Sequence, residues 1–378
     1  MFNFGLNEEQ VMLQSTVRRY MEKECTTEFV REMMEDANGY SPKMWQDVAD
    51  MGLLGVNISE VDAGSGMGLV ELMVVMEQMG RALFPGALLE TMMVAEAINE
   101  WGNGDQKKLY LPKIANGELI GTLAIDEPEG FWDAEAVQAT GKREGDRYRL
   151  SGTKFFVPYA NVADLMVCAV RTSKGSRAEE GVTLLLVEPK KDGVKVETLP
   201  TMDESYKLCE VCLDGVAISA SQILGEEGAG WQIWDKVRQK ATVLASAEMV
   251  GGAERVMEMI VAYSKERQQF DKLIGSFQAI KHRCVDMLVD VVNSRGCVYY
   301  AAWAVENQAK DAEIAVSSAK AYASDAYVNA AQKALQSFGG IGFTWEHDIH
   351  LFMKRARRLE MTFGDATFHR ELMASLWL

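Results

Sequence analysis

The chain has 378 residues, of which 48% are hydrophobic and 25% charged, and its formal net charge is −16. These values are typical of a globular protein with two or three domains and a large core. Because nucleic acids and anionic membranes would repel so acidic a chain, we expect neither as a general partner. The six cysteines fit a reducing compartment. Since the sequence shows neither a secretory signal nor an apolar run that approaches a membrane span, we predict a cytoplasmic protein.

The first part of the sequence, residues 1–118, is predicted to form a helical domain. Asn7 precedes two glutamates, a pattern that is typical of a helix start because a polar cap is followed by acidic residues in the first turn. Apolar residues then recur at helical spacing. Further helices are predicted over 71–82 and 88–100, with a Pro-Gly break between them.

Residues 119–230 are predicted to form a middle β domain. Short segments rich in β-branched residues, such as 165–170 and 182–187, alternate with Gly-containing turns. Six or more such segments predict a compact β-barrel or sandwich. Cys209 and Cys212 lie three residues apart on one predicted strand, so their side chains point to opposite faces. We therefore interpret them as small buried residues and not as metal ligands.

Residues 231–378 are predicted to be helical to the end of the chain. An apolar stripe at helical spacing marks the first segment of this part. Long helices are predicted over 284–307 and 311–337, and long amphipathic helices in succession favour a bundle. The predicted fold class is therefore α+β and mostly helical, in the order helices, β domain, helices.

Two longer motifs lie in the C-terminal part. The first consists of Glu266-Arg267-Gln268-Gln269-Phe270 and then Phe277-Gln278-Ala279-Ile280-Lys281-His282, and the second of Leu335-Gln336-Ser337-Phe338-Gly339-Gly340-Ile341-Gly342-Phe343-Thr344. Together they resemble the signature of the acyl-CoA dehydrogenase family of flavoproteins, and the resemblance covers nearly the whole chain. It implies an N-terminal helical domain, a middle β-barrel domain and a C-terminal four-helix bundle. It also implies FAD as cofactor and an acyl thioester of coenzyme A as substrate.

The resemblance places the ADP half of FAD on the two motifs. A guanidinium pairs with phosphate oxygens, an aromatic ring packs on adenine, and glycines let backbone N–H groups approach a phosphate. In the family this pocket serves an FAD bound mainly to a neighbouring subunit. The residues that match it are Arg267, Gln269, Phe270, Gln278, Gln336, Gly339 and Gly340.

The segments that contact the flavin ring in the family differ here. Asp126-Glu127-Pro128-Glu129 replaces Thr-Glu-Pro-Gly, Phe131-Trp132-Asp133 replaces Gly-Ser-Asp, and Phe156-Val157-Pro158 replaces Trp-Ile-Thr. Pro158 has no backbone N–H and no hydroxyl, so one donor near the flavin N5 atom is missing. An ionised Asp126 would repel the negative charge of a reduced flavin, so it must be protonated or turned away.

The usual catalytic base of the family is also missing. The family takes its base from a Glu near the C terminus, where this chain has Phe363, or from a helix position that falls near Ala241 and Thr242. Two carboxylates are candidate replacements: Glu90, on the helix that floors the acyl pocket in the family, and Asp365. The alternative interpretation is an exposed helix position for Glu90, and a helix cap or a contact with FAD for Asp365. The four histidines show no metal spacing, and we predict no metal site.

Three functions follow from the resemblance. The first is an acyl-CoA dehydrogenase with a relocated base, which passes electrons to an electron-transferring flavoprotein. The second is a catalytically degenerate subunit that lends its ADP pocket to a homologous partner in a heteromeric enzyme. The third is a flavoenzyme of the same fold with another reaction class, such as a monooxygenase or a desulfinase-like enzyme. The resemblance implies a homo- or hetero-tetramer in the first two cases.

Overall fold

The structure is a computed structural model and describes residues 5–130, 132–173 and 177–378. The chain divides into two units. The first is formed by Met1–Arg31, Leu69–Phe84 and Gln239–Leu378, and the second by Glu32–Gly68 and Pro85–Arg238. Of the predicted flavin segments, Phe131 lies outside the described residues.

The α-helices of the described ranges lie in two groups, one before and one after the strands. They are α1 (Glu8–Glu24), α2 (Thr27–Glu35), α3 (Pro42–Asp50), α4 (Leu69–Ala82), α5 (Leu88–Trp101), α6 (Gly104–Ala115), α7 (Gly230–Glu266), α8 (Gln278–Glu306), α9 (Ala312–Phe338), α10 (Ile349–Met361) and α11 (Ala366–Trp377).

Helix starts follow the local chemistry of the sequence. The Asn7 side chain accepts a hydrogen bond from the Gln10 N–H, and the Gln10 side chain accepts one from the Asn7 N–H. The predicted start of α1 is therefore a capping box. Asn103 and Gln106 repeat this arrangement at α6. The helices predicted over 71–82 and 88–100 are confirmed as α4 and α5.

Among the residues that the structure describes, the strands between the helix groups form one mixed sheet of eight strands. They are β1 (Gly121–Ala124), β2 (Thr140–Glu144), β3 (Arg147–Pro158), β4 (Leu165–Arg171), β5 (Val182–Val187), β6 (Val194–Leu199), β7 (Leu208–Ser219) and β8 (Ile223–Leu224), and the short hairpin strands β9 (Gln268–Gln269) and β10 (Lys272–Leu273) follow α7. The sheet order is β6-β7-β3-β2-β4-β5-β8, and β1 pairs with β4 in parallel. Helices, strands and helices thus follow in the predicted order, and the α+β fold class with a middle β domain and a C-terminal helical bundle is confirmed.

The core of the sheet is apolar and buries alternate residues of the long strands. Cys209 is buried in this core while Cys212 lies on the other face of β7, as their spacing predicts. Cys212 is only half-buried, so the interpretation as a small buried residue holds for Cys209 alone. Within the described ranges, no group of three or more His, Cys, Asp or Glu side chains is arranged to hold a metal ion. In the same part of the chain, none of the helices combines the length and the apolar character that crossing a membrane requires.

In the first unit, α4 and α7 cross at glycines. A Cβ atom on Gly251 would lie 1.8 Å from the Glu77 carbonyl oxygen, and one on Gly80 would lie 2.0 Å from the Glu248 carbonyl oxygen. Neither position has room for a side chain. This close approach brings the charged faces of the two helices together, so that Arg81 on α4 donates to Glu254 and Glu258 on α7.

Candidate functional site

The hairpin after α7 carries three of the predicted cofactor-binding residues. The Arg267 N–H donates to the Tyr263 carbonyl at 2.9 Å and ends the helix. Phe270 and Asp271 then form the two-residue turn between β9 and β10, with φ angles of +57° and +61°. Such a turn usually contains Asn and Gly, because a bulky residue at positive φ is strained. The Phe270 side chain is 86% exposed, so its ring is available to a ligand.

The second motif lies beside the first. Tyr263, one turn before the hairpin, packs its ring 4.8 Å from that of Phe338 at the end of α9. Arg283 on α8 donates to the Ser337 hydroxyl at 3.3 Å. These two contacts bring the end of α7, the start of α8 and the end of α9 together. Gly339 follows with φ +68° and ψ −142°, a conformation that favours glycine.

The seven predicted ADP-binding residues therefore lie on one part of the first unit, at its surface. A Cβ atom on Gly339 or Gly340 would meet open space, so their backbone is accessible. Four of the seven residues have polar side chains: Arg267, Gln269, Gln278 and Gln336. Within the described part of the chain, none of these side chains donates a hydrogen bond to another residue. An exposed cation, three amides and an aromatic ring fit the phosphates and adenine of an ADP group.

In the second unit, a buried ion pair joins the two segments that the resemblance assigns to the flavin ring. Lys154 and Glu127 are 0% and 2% exposed, and their Nζ and Oε1 atoms are 2.5 Å apart. Lys154 also donates to the Ile125 carbonyl at 3.0 Å. The Glu127 carboxylate accepts backbone N–H groups of Gln138 and Ala139, both at 2.9 Å. Sequence reasoning missed this pair, although the Glu was the one acidic residue of its segment that matched the family.

Asp126 is influenced both by burial and by the neighbouring ion pair. The Phe155 N–H donates to the Asp126 carbonyl at 2.9 Å, so the two segments run side by side. Burial raises the pKa of the Asp126 carboxyl to about 6, although Lys154 and the Trp132 N–H both lower it. A carboxyl with that pKa is mostly ionised at pH 7 and mostly neutral below pH 6. The predicted protonation of Asp126 is therefore accessible under mildly acidic conditions.

The segment Phe156-Val157-Pro158 is irregular. The pairing of β3 with β7 shifts between Lys154 and Val157, and Phe156 has a φ angle of +51° at this bulge. The bulge leaves the Phe156 ring partly exposed, whereas the Val157 side chain lies in the β core, so only the Val157 backbone can reach a ligand. The Pro158 carbonyl accepts from the Thr122 hydroxyl.

Glu90 is buried, and the expectation of an exposed helix position was wrong. Its side chain, in the first turn of α5, is 3% exposed among Leu and Met neighbours. The Tyr206 hydroxyl donates to Glu90 Oε1, and the Tyr206 ring packs edge-on against Tyr159 at 4.9 Å. A carboxylate in such surroundings is costly unless hydrogen-bonded. The sequence did not reveal this contact, because no local pattern links Tyr206 to Glu90.

Asp365 is the N-cap residue of α11, as the alternative interpretation of this residue predicted. Its carboxylate accepts the Phe368 N–H at 2.7 Å and begins α11. Lys320 contacts the loop around Phe363 that precedes this helix. Its Nζ donates to the carbonyls of Gly364 and Glu360 at 2.7 and 3.0 Å. His369 Nε2 lies 3.1 Å from the Phe363 carbonyl oxygen.

Lys320 is fully buried beneath this loop. Burial lowers its pKa to about 7, against the effect of Asp365 and Glu360, which raise it. Besides the position of Phe363, the family carries its base at a second helix position, which in this chain falls near Ala241 and Thr242. Both of these residues are buried. Neither of the two usual positions therefore carries a carboxylate, and of the two predicted replacements only Glu90 is buried without serving as a helix cap.

Comparisons with known proteins agree along the whole chain. Models of the N-terminal, middle and C-terminal domains of acyl-CoA dehydrogenase match residues 7–118, 122–216 and 228–376. The chain is 32% identical to "Acyl-CoA dehydrogenase IpdE2" of Mycolicibacterium smegmatis over 93% of each sequence. Among solved structures it is similar to the Tcur3481-Tcur3483 steroid ACAD, with a TM-score of 0.88, 28% identity and coverage of 98% and 97%. It is also similar to a structure described as the electron transferring flavoprotein of Acidaminococcus fermentans, with a TM-score of 0.93, 26% identity and full coverage of both chains.

Proposed function

The chain belongs to the acyl-CoA dehydrogenase family, and from this membership we propose that it binds FAD and takes part in the α,β-dehydrogenation of an acyl-CoA thioester. Bound FAD would supply the acceptor for the hydride that leaves the β carbon. We further propose that an electron-transferring flavoprotein takes up the electrons, which the similarity to the Acidaminococcus fermentans structure supports. The division into domains at 1–118, 119–230 and 231–378 belongs to the same proposal, and the three matched ranges support it.

The observation that carries the proposal is the exposed ADP surface of the first unit. Arg267, Gln269 and Phe270 project from a strained hairpin, and Gly339 and Gly340 leave their backbone open beside it. Surface residues whose donors are not used within the chain, together with an exposed ring, can bind a ligand that supplies phosphate oxygens and an aromatic plane. Because the residues face outward, the same surface suits an FAD shared with a neighbouring subunit, and we propose a dimer or tetramer.

We assign the proton transfer within this chain to Glu90. The reaction removes a proton α to the thioester carbonyl, so a desolvated carboxylate must stand beside that carbon. Glu90 is buried, and the Tyr206 hydroxyl that donates to Oε1 restricts its orientation. Asp365 is the weaker candidate because its carboxylate already accepts the Phe368 N–H at the start of α11.

A second candidate is a subunit whose base is supplied by a homologous partner. Phe363, Ala241 and Thr242 leave both usual positions without a carboxylate, and this observation favours a partner that provides one. The paired names of the Tcur3481-Tcur3483 neighbour support the same assembly. The two candidates differ in one respect that can be measured, since only the first needs Glu90 for chemistry.

The test is the anaerobic bleaching of bound flavin by a panel of acyl-CoA thioesters. For the chain expressed alone, Glu90→Gln should slow bleaching by about 10²–10⁴-fold, the usual effect of losing a general base. Glu96→Gln is the matched control, because Glu96 is also buried on α5 and accepts from Asn57 at 2.6 Å. Asp365→Asn keeps a capping side chain and should leave the rate unchanged.

The outcomes separate the two candidates. Equal slowing by Glu90→Gln and Glu96→Gln would remove the assignment of the base, because it would indicate a general effect of disturbing α5. No bleaching by the chain alone, with bleaching restored when a co-encoded homologue is added, would establish the heteromeric candidate. No bleaching by any acyl-CoA in either form would contradict the proposed reaction.

A further inference from the structure

The first unit contains a cavity of about 300 Å³ that none of the proposed chemistry uses. We call it the Arg18–Gln78 pocket. It lies where α1, α4 and α7 meet the start of α2. Its polar lining includes Arg18, Gln78, Arg81, Arg255, Thr26 and Thr27.

The amide of Gln78 points to a ligand in this pocket. Gln78 is 1% exposed, and its Oε1 accepts from Arg18 Nε at 2.9 Å. This bond determines the orientation of the amide, because the reversed amide would set its NH₂ group against the guanidinium N–H. The Nε2 group is then directed away from Arg18, and within the described ranges it finds no acceptor. A buried donor without a partner is costly, so an acceptor in the pocket would stabilise it.

The guanidinium groups around Gln78 outnumber the carboxylates that pair with them. Arg81 donates to Glu254 at 2.5 Å and to Glu258 at 2.8 Å. Arg18 and Arg255 reach the same two carboxylates only at 3.4 and 3.6 Å, so both retain free donors. Arg295 pairs with Glu254 too, at 2.8 Å, so four cations share these two carboxylates, and every one of the cations is donor-only. The polar lining therefore calls for acceptor atoms and negative charge.

The start of α2 adds to the same preference. The Thr26 hydroxyl accepts the Phe29 N–H at 3.3 Å and caps the helix, which begins at Thr27. The N-terminal end of a helix carries partial positive charge and favours anions. Two carboxylates also line the pocket or its rim: Asp348 is paired with Arg31 at 2.9 Å, whereas Glu22 is exposed. Glu22 would oppose an anion, and this makes it a useful position for a test.

We propose that the Arg18–Gln78 pocket is a binding site for a small oxyanion, a molecule with a phosphate or a carboxylate group. Gln78 Nε2 donates to the anion from the inside, and Arg18 and Arg255 pair with it at the mouth. The cavity is larger than one phosphate ion, so a small phosphorylated or polycarboxylate metabolite fits it. The site is separate from the ADP surface and does not depend on the proposed reaction.

The test is a titration of the purified full-length chain with inorganic phosphate and, separately, with citrate, by calorimetry. Sodium chloride at matched ionic strength is the reference for screening effects. We expect saturable binding of one of the two anions per chain. Arg255→Gln should weaken it about tenfold or more, because it removes a charge-assisted hydrogen bond. Gln78→Leu should weaken it as well, and Glu22→Gln should strengthen it by removing the opposing charge.

The exposed Arg149, which pairs with Glu144 in the second unit, supplies the control variant Arg149→Gln, which should bind like the wild type. Saturation by phosphate alone identifies a phosphate group, and saturation by citrate alone a carboxylate. A response to both anions that equals the chloride response overturns the proposal. The proposal is also overturned if neither Arg255→Gln nor Glu22→Gln changes the binding of the anion. Because both positions are exposed, these two variants provide the test even if Gln78→Leu does not fold.

Discussion

The buried pair of Lys154 and Glu127 offers a direct test of how the second unit is held together. Lys154→Met keeps the unbranched apolar part of the side chain but removes the ammonium that lies 2.5 Å from Glu127 Oε1 and 3.0 Å from the Ile125 carbonyl. Glu127 then remains a buried carboxylate with backbone N–H donors only. Removing one partner of a buried ion pair costs roughly 3–5 kcal/mol. Because the backbone donors remain, we expect the lower end, about 3 kcal/mol.

The assay is chemical and thermal unfolding of the variant and the wild type. A loss of about 3 kcal/mol in a unit of this size should lower the melting temperature by roughly 6–12 °C. Lys190→Met is the matched control, since Lys190 also pairs with a carboxylate, Asp164 at 3.1 Å, but is 77% exposed. That variant should stay within about 0.5 kcal/mol of the wild type.

A double variant sharpens the test. Lys154→Met combined with Glu127→Gln removes the buried charge together with its partner, so it should be more stable than Lys154→Met alone by about 1 kcal/mol or more. The reasoning fails if Lys154→Met costs no more than Lys190→Met. It fails equally if the effects of the two substitutions simply add, because an ion pair must show coupling.

Two further predictions concern the first unit. Gly251→Ala should destabilise the protein by about 3 kcal/mol or more, because the added Cβ would meet the Glu77 carbonyl at 1.8 Å. The control is Gly296→Ala on α8, which should cost nothing because a Cβ there meets open space. Equal melting temperatures of the two variants would refute the close helix crossing. Lys320 should make stability rise with pH between about 7 and 10.5, because in that window the unfolded lysine binds a proton that the folded one, with its lowered pKa, does not. Lys320→Met should flatten this part of the profile of unfolding free energy against pH, and an unchanged slope would contradict the lowered pKa.

Local patterns in the sequence predicted the helices and strands, but they did not predict contacts between residues far apart in the chain. The capping box at Asn7, the helix after the Pro-Gly break and the cap at Asp365 depend on residues at most a few positions apart. The ADP motifs were found for the same reason, since each is a continuous stretch. The buried Glu90 accepts a hydrogen bond from Tyr206, which is 116 positions away, and nothing in the sequence around either residue indicates the contact.

The loop around Phe363 shows the same limit. The loss of a carboxylate at this position is visible in the sequence, but the support beneath the loop is not. Lys320 and His369 reach it from other helices, and a lysine in a helix is expected to be exposed. Burial of a charged group overrides that expectation only where the fold supplies acceptors, here the carbonyls of Gly364 and Glu360 together with the Ser324 hydroxyl.

The most direct test of the central claim is the flavin content of the purified protein. The exposed guanidinium of Arg267 is expected to contribute a charge-assisted hydrogen bond of about 1.5–3 kcal/mol to a phosphate of FAD. Arg267→Ala should therefore lower FAD occupancy and raise the FAD dissociation constant by about 10- to 100-fold. Lys265→Ala removes a neighbouring exposed cation from the last turn of α7 and should leave occupancy unchanged. Full occupancy in Arg267→Ala, or a wild-type chain that binds no FAD alone or with a homologous partner, would contradict the claim.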